Sequence, residues 1–170
     1  MHALQILLLL VFPALAIVAA LKDVTSYTIP NWISLALVAA FLPAAAVSGA
    51  PLPALGLCLA TGLGGLLIGM GMFAAGWIGG GDAKLFAASG LWIGWPAALP
   101  FMLATGLAGG AVTMGILALR SGWLEPVLAG SPAWVRKLSA QGGDIPYGVA
   151  IAVGALATFP QGALAAAILG

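Results

Sequence analysis

Long apolar runs, separated by short segments that hold most of the polar residues, dominate the pattern along this chain of 170 residues. A helix needs about 20 mostly apolar residues, within a range of about 17 to 25, to cross the hydrocarbon core of a bilayer. The runs cover residues 1–21, 31–48, 54–76, 83–95, 97–119 and 145–169. The pattern therefore predicts an all-α fold with about six transmembrane helices.

The first run also has features of a signal peptide. The strings "ALA" and "VAA" within it resemble cleavage sites. However, a signal peptide begins with a basic region, which is absent here, and more membrane segments follow instead of a soluble domain. We therefore predict that residues 1–21 form a retained helix.

The fourth and fifth runs meet at Gly94, Trp95 and Pro96. Proline ends one helix and can begin the next, so these residues predict a tight turn. The run before the turn is short, which leaves the boundary between the two helices open.

Three pairs of glycines have the four-residue spacing that lets membrane helices approach closely. The pairs are Gly65 with Gly69, Gly90 with Gly94, and Gly106 with Gly110. They predict close helix contacts at these positions.

The composition supports an integral membrane protein, because 63% of the residues are hydrophobic and only 5% are charged. Soluble domains carry about a quarter charged residues. The net charge of +1 and the lack of a basic tail argue against nucleic-acid binding. With Cys58 as the single cysteine we expect no disulfide framework, no zinc site and no cofactor. We interpret residues 1–170 as one membrane-embedded domain.

The basic residues orient the predicted helices. They are Lys22, Lys84, Arg120, Arg136 and Lys137. An N-terminus on the outer side of the membrane places all five on the cytoplasmic side, as the positive-inside rule requires. This orientation also puts Asp23, Asp82 and Asp144 at the cytoplasmic border.

The longest polar connection, residues 120–144, mixes basic residues with tryptophan and aliphatic side chains. This mixture predicts pieces that lie in the membrane interface. Either a basic loop held by tryptophan anchors or a substrate-docking segment fits the pattern.

Asp23 follows the first apolar run directly, together with Lys22. A carboxylate at a helix C-terminus faces the negative end of the helix dipole, so capping does not explain it. It could begin a turn or pair with Lys22. A carboxylate beside a membrane segment is otherwise a candidate functional residue.

Asp82 precedes the fourth run, where an aspartate N-cap contributes about 1 kcal/mol. Capping explains the aspartate but not the three glycines before it, residues 79–81. Glycines permit close approach of another backbone. The loop is therefore suited to bringing an extended peptide or another helix close to the carboxylate.

Two carboxylates at one membrane face meet if helices one and four are neighbours. Like charges in a poorly solvated site do not both ionise, so such a pair shares one proton. One carboxylate then activates water as a general base, and the protonated one polarises a scissile carbonyl. This is the chemistry of an aspartic protease, and it requires no metal.

Three stretches resemble the motifs of the type IV prepilin peptidases, which are membrane aspartic proteases. "GGGDAKL" at 79–85 is similar to the family's GxGD motif. "DVTSYTIPN" at 23–31 is similar to its first aspartate motif, an Asp a few residues before Ile-Pro-Asn. "IPYGVAIAVG" at 145–154 resembles the Pro-x-Gly segment that opens the last helix. The motifs occur in the family's order.

The resemblance implies a site made of residues from all three motifs. The catalytic pair would be Asp23 and Asp82, and the residues that shape the site or bind substrate would be Gly79, Gly81, Lys84, Pro146 and Gly148.

Three charged residues keep two interpretations each. Lys84 is a topology anchor in the first interpretation. In the second it has a functional role: it tunes the aspartate pair, or it meets the acidic residue that the family's substrates carry early in the mature pilin. Lys22 has the same alternatives. Asp144 is interpreted as the cap or first residue of the last helix, with a third carboxylate as the alternative.

The resemblance also implies the partners and the location. The substrates would be prepilins and pseudopilins, with a short basic leader before a hydrophobic helix, cut after a glycine at the cytoplasmic face of the bacterial inner membrane. Larger members carry an N-terminal domain with paired CxxC motifs and also methylate the product. Here the first helix starts at residue 1 without such a domain. We therefore expect the compact, peptidase-only branch of Flp/Tad-type pili, to which archaeal preflagellin peptidases are related, and no methyltransferase activity.

Two other functional classes remain open. A small ion-coupled transporter would use the aspartates as a proton relay, although transporter carboxylates tend to lie near the midplane. A structural subunit of a pilus or secretion machine would tolerate Asp→Asn at both positions, because Asn caps nearly as well as Asp.

Overall fold

A computed structural model describes residues 1–121, 130–140 and 143–169 of the chain. Every regular element within these ranges is helical, which confirms the all-α prediction. The α-helices are α1 (His2–Ser26), α2 (Asn31–Ser48), α3 (Leu52–Ala74), α4 (Gly80–Ile93), α5 (Ala98–Arg120), α6 (Ala133–Ser139), α7 (Tyr147–Thr158) and α8 (Ala163–Leu169), with a 3-10 turn at Phe159–Gln161 between the last two.

Four helices, α1, α2, α3 and α5, are long and apolar enough to cross a membrane. The segment from α7 to α8 is bent by 43° and adds a fifth span if it is counted as one unit. The chain is thus a multi-pass membrane protein. The predicted count of six is not confirmed, because the 14 residues of α4 extend about 21 Å against a hydrocarbon core of about 30 Å.

The short helix α4 lies in the middle of the protein. Ten of its 14 residues are buried, and it contacts α2, α3 and α7. Trp92 near its end is fully buried with Phe12, Phe41 and Phe159 around its ring. The indole N–H donates a hydrogen bond to the Leu37 carbonyl over 2.9 Å. These contacts pack the end of α4 against α1, α2 and the 3-10 turn that follows α7.

Glycines on α3 allow α4 to approach closely. A Cβ added at Gly62 would lie 3.0 Å from the Leu91 Cβ, and one at Gly69 would lie 3.0 Å from the Ala83 Cα. Gly65 faces the same helix. The close packing predicted for Gly65 and Gly69 is therefore confirmed.

The glycine pair on α5 behaves differently. Positions Gly106 and Gly110 have open space where a side chain would be. The residue that packs closely is Gly109, where an added Cβ would lie 3.0 Å from the Tyr147 ring of α7. The Gly106–Gly110 pair makes no close contact among the described residues, because α5 meets α7 through the neighbouring face that carries Gly109.

The tight turn between the fourth and fifth helices is confirmed. Helix α4 ends at Ile93 and α5 begins at Ala98, with a cis peptide bond before Pro96. Gly94 has φ +67°, and an added Cβ there would lie 2.7 Å from the Cys58 Sγ. Only glycine fits this turn, because it combines positive φ with a close neighbour.

The polar connection after α5 is described in part. The interface prediction covers residues 120–144, and residues 122–129, 141 and 142 of it lie outside the described ranges. Helix α6 falls within it, and its Trp134 is exposed. Arg120, at the end of α5, holds the segment that leads to α7, as shown in the next section.

Candidate active site

Asp23 lies in the last turn of α1, with only 4% of its surface exposed. Helix α1 continues beyond it to Ser26, so the interpretation of Asp23 as the start of a turn is wrong. Its Oδ2 accepts a hydrogen bond of 2.6 Å from the backbone N–H of Gly148, in the first turn of α7. A contact across 125 residues of sequence therefore positions this carboxylate.

Asp82 lies in the first turn of α4 and is also buried, with 8% exposure. The N-cap is Gly79, so the prediction of Asp82 itself as the N-cap is wrong by three residues. Asp82 nevertheless stabilises the helix start, because its Oδ2 accepts the Gly79 N–H over 3.0 Å.

The second oxygen of Asp82 differs from the first. Within the part of the chain that the structure describes, Oδ1 is buried and has no hydrogen-bond partner. Leaving a buried polar atom unpaired costs about 1–3 kcal/mol, so such atoms tend to mark places where a water or ligand binds.

Two cavities meet at the aspartates. The larger, of about 400 Å³, is lined by Asp23, Tyr27, Gly76, Trp77, Ile78, Gly79, Asp82, Asp144, Ile145 and Tyr147. The smaller, of about 200 Å³, is lined by Asp23, Tyr27, Thr28, Ile29, the three glycines 79–81 and Asp82. Because both carboxylates line both cavities, a molecule in either one reaches the pair.

The three sequence motifs converge on Ile29. An added Cβ at Gly81 would lie 3.0 Å from the Ile29 Cβ, and one at Gly148 would lie 2.5 Å from its Cδ1 and 2.8 Å from the Asp23 Oδ2. Gly79, at φ −72°, has ordinary backbone geometry. Gly81 and Gly148 are therefore explained by close packing against the first motif, whereas an added Cβ at Gly79 would meet the Asp82 Oδ2 of its own motif at 3.1 Å.

The remaining predicted site residues differ in how they are placed relative to the aspartates and the two cavities. Pro146 is the buried N-cap of α7 and precedes Gly148 by two residues. Lys84 lines neither cavity, and its Nζ donates a hydrogen bond of 2.8 Å to the Asn31 Oδ1. Asp144 lines the larger cavity and does not cap α7, so its interpretation as a cap is wrong.

Arg120 is a residue whose role the sequence did not reveal. Its guanidinium donates to three backbone carbonyls, those of Leu138 at 3.0 Å, Gly143 at 2.8 Å and Asp144 at 2.9 Å. Burial raises the pKa of the Tyr27 phenol, and the neighbouring Arg120 opposes that shift. The basic residue interpreted only as a topology anchor therefore holds the segment before α7, and nothing in its sequence context signals that contact.

The side chains at the site that could act as metal ligands are carboxylates. Among the described residues, no group of three or more His, Cys, Asp and Glu side chains is arranged to hold a metal ion. What the arrangement offers chemically is two buried carboxylates, one buried carboxylate oxygen without a hydrogen-bond partner among the described residues, and two adjoining cavities.

A comparison with protein families places this arrangement in context. Residues 10–114, more than half of the chain, match the type IV leader peptidase family. The chain belongs to this family. The matched region contains both aspartates and ends before α7. Comparisons with curated proteins and with solved structures found no match for this chain. Membership implies a peptidase and, in general terms, prepilin substrates, and it confirms the family resemblance. The two aspartate motifs lie within the matched residues, and the third motif, at 145–154, lies beyond them.

Proposed function

We propose that this chain is an aspartic endopeptidase of the bacterial inner membrane. It removes the basic leader from type IV, Flp-like prepilins and pseudopilins at the cytoplasmic face. The observation that carries this proposal is the burial of Asp23 and Asp82 beside the same two cavities. Family membership supports the class of reaction.

In the proposed mechanism the two carboxylates share one proton. The ionised carboxylate takes a proton from a water molecule, whose oxygen then attacks the scissile carbonyl carbon. The protonated carboxylate donates a hydrogen bond to the carbonyl oxygen and stabilises the negative charge that develops there. The carboxylate that took the proton from water gives it to the leaving amine, and the tetrahedral intermediate collapses as the C–N bond breaks. Titration belongs to the pair and not to either residue.

The hydrogen bonds of the two aspartates support this mechanism. One oxygen of each carboxylate accepts a backbone N–H, from Gly148 or Gly79. These bonds fix the carboxylates without using the Asp82 Oδ1, which stays available to water or substrate. The proposed role of Gly79, Gly81 and Gly148 is to leave room for neighbouring atoms to pack close to the carboxylates.

The proposal includes one domain, six membrane spans and an N-terminus on the outer side of the inner membrane. The end of α1, the start of α4 and the start of α7 meet at one site, as this topology requires. Helix α4 is too short to span alone but is enclosed by other helices. Under this topology the cut lies where the leader of a prepilin remains, on the cytoplasmic side. The proposed activity is hydrolysis alone, without methylation of the product.

The test compares wild type with Asp23→Asn and Asp82→Asn in membranes that contain a co-expressed prepilin. Asparagine keeps an oxygen that accepts the Gly148 or Gly79 N–H, so the fold should survive while general-base chemistry is lost. We expect wild type to trim the leader and both variants to leave it intact, read by gel shift and N-terminal sequencing. Equal membrane levels and equal thermal unfolding provide the control.

Two results would contradict the proposal. Cleavage by both variants would make the carboxylates structural. A wild-type protein inert on every pilin offered would favour the ion-coupled transporter or the structural subunit of a pilus or secretion machine.

A further inference from the structure

Tyr27 lies where the two cavities of the site meet. Among the described residues, four line both cavities: Asp23, Asp82, Gly79 and Tyr27. Because Gly79 has no side chain, Tyr27 supplies the third side chain that faces both cavities. A peptide cut between the two carboxylates would extend to both sides of the pair and would therefore pass Tyr27. The proposed mechanism gives each aspartate a role and gives Tyr27 none.

The backbone of Tyr27 has a conformation that tyrosine rarely adopts. Tyr27 is the C-cap of α1, with φ +55° and ψ +29°. It is the only residue other than glycine with a positive φ in the part of the chain that the structure describes. Glycine and asparagine are the usual residues in such a left-handed cap, since a Cβ atom there costs about 1–2 kcal/mol. Capping of α1 therefore does not explain a tyrosine, and the explanation has to come from its side chain.

The cap also connects Tyr27 to Asp23. The Tyr27 backbone N–H donates a hydrogen bond of 2.8 Å to the Asp23 carbonyl. The Asp23 side chain in turn accepts the Gly148 N–H at its Oδ2. Backbone groups thus hold both residues, and the tyrosine side chain leaves the end of α1 beside the same cavities as the Asp23 carboxylate.

The Tyr27 phenol lies next to a cation. Burial raises the pKa of the phenol above its ordinary value of 10.0, so the phenol keeps its proton at neutral pH. After burial, the largest influence on the phenol comes from the Arg120 guanidinium, through its charge and a hydrogen bond. A guanidinium has N–H donors and no acceptor, so the phenol oxygen accepts in this pair. The phenol proton is therefore directed to a neighbour other than Arg120.

The other neighbours of the phenol are acceptors. Asp144 and Asp23 both act on it through their negative charge. An extended peptide in the cavities would offer a further kind of acceptor, its backbone carbonyl groups. Hydrogen bonds in a chain polarise one another in a poorly solvated site, so the contact with Arg120 strengthens the phenol as a donor.

We propose that Tyr27 is a substrate-binding residue whose phenol donates a hydrogen bond to a backbone carbonyl next to the scissile bond. This inference rests on the proposed function, because the molecule that reaches the aspartates there is a peptide. Hydrogen bonds to the main chain of an extended peptide provide affinity, whereas pockets for side chains provide specificity. The contact with Tyr27 therefore serves precursors of different sequence equally.

Tyr27→Phe tests the contact, because it removes the hydroxyl and keeps the ring. The substrate is a designed precursor with a basic leader and an apolar helix of about 20 residues. We expect KM for this precursor to rise about tenfold, or about 1.4 kcal/mol, with kcat close to wild type. A hydroxyl that only kept Asp23 in place would affect kcat instead. A fall in kcat at unchanged KM would therefore overturn the inference.

Tyr147→Phe is the matched control, because Tyr147 is the second of the two tyrosines in the chain. Of the two cavities it lines the larger one alone, and its ring and hydroxyl lie against Gly109 of α5. We expect KM and kcat of Tyr147→Phe to stay close to wild type. An equal rise in KM in the two variants would overturn the inference. Thermal unfolding of both variants separates a binding defect from a folding defect.

Binding is also measured without cleavage. The Kd of the labelled precursor is compared between Asp82→Asn, which we expect to be inactive, and the double variant Asp82→Asn with Tyr27→Phe. We expect the double variant to bind about tenfold more weakly. An ester in place of one peptide bond weakens the carbonyl before it as an acceptor, and esters are placed one at a time on either side of the scissile bond. At the contacted carbonyl, the ester should weaken binding to Asp82→Asn and leave the double variant unaffected.

The two assays separate the two proposals. Weaker binding by the double variant, together with a wild type that cleaves nothing, would support the contact with Tyr27 and contradict the peptidase. Cleavage by wild type, with an unchanged KM in Tyr27→Phe and an equal Kd in the single and double variants, would overturn the contact and leave the peptidase standing.

Discussion

Asp23 and Asp82 line the same cavities but are held there in different ways. Asp82 is positioned locally, by a hydrogen bond from the N-cap of its own helix three residues away. Asp23 is positioned by Gly148, which is 125 residues away in sequence and belongs to another helix. The Asp82 side of the site therefore forms with α4, whereas the Asp23 side is complete only when α7 docks. Changes near α7 should consequently do more damage than changes near Gly79.

The largest effect is expected from Gly148→Ala. The new methyl group would lie 2.8 Å from the Asp23 Oδ2 and 2.5 Å from the Ile29 Cδ1, so the Asp23 and Ile29 side chains or α7 itself have to shift. Overpacking costs about 1–3 kcal/mol of stability, and a displacement of the carboxylate lowers kcat by about 100-fold. Cleavage rates and thermal unfolding measure both. Gly115→Ala on α5, where the added methyl meets open space, should leave the cleavage rate unchanged and should not lower stability, because alanine is favoured over glycine inside a helix. Wild-type cleavage by Gly148→Ala would refute the close packing at Asp23.

A smaller loss is expected from Arg120→Gln, which removes the guanidinium that holds three carbonyls before α7. Hydrogen bonds from charged groups contribute about 1.5–3 kcal/mol each, but a freed surface carbonyl bonds to water, so we expect kcat to fall about tenfold. Arg120→Lys should recover only part of the rate, because an ammonium lacks the planar fork.

Arg136→Gln is the matched control for Arg120. It removes one cytoplasmic charge in the proposed topology, but Arg136 bonds only the Ser131 carbonyl among the hydrogen bonds described. Its rate should stay close to wild type. An equal loss of kcat in the two variants would mean that the rate depends on the cytoplasmic charge and the topology. It would not then depend on the hydrogen bonds from Arg120 to the segment before α7.

The smallest effects are expected on the Asp82 side. In Gly79→Ala the methyl would lie 3.1 Å from the Asp82 Oδ2, which a shift of a few tenths of an ångström relieves, and φ −72° suits alanine. We expect a loss of a few-fold in kcat. Gly80→Ala meets only an ordinary contact with Phe73 at 3.5 Å and should gain about 0.5–1 kcal/mol of stability. A larger loss of kcat in Gly79→Ala than in Gly148→Ala would contradict the conclusion that the Asp23 side of the site is the more sensitive one.

Much of this site was predictable because its signals are local. The Gly-rich stretch before Asp82 and the Ile-Pro-Asn after Asp23 identified both carboxylates and the family without any structure. The role of Ile29 was not predictable, because its contacts with Gly81 and Gly148 join three distant segments. Asp144 was misinterpreted for a related reason: a carboxylate shortly before a helix has the same sequence signature whether it caps the helix or lines a cavity.

The sequence by itself determined that the chain is helical and membrane-embedded, because both follow from runs of apolar residues and a low content of charge. It also determined the turn at Gly94, since proline restricts the backbone locally and glycine permits a positive φ. Only the tertiary structure decided that the short α4 is central and not lipid-facing, that α5 meets α7 through Gly109, and that Arg120 holds the segment before α7. These outcomes depend on which faces meet, and hydropathy along one chain does not encode the neighbour of each face.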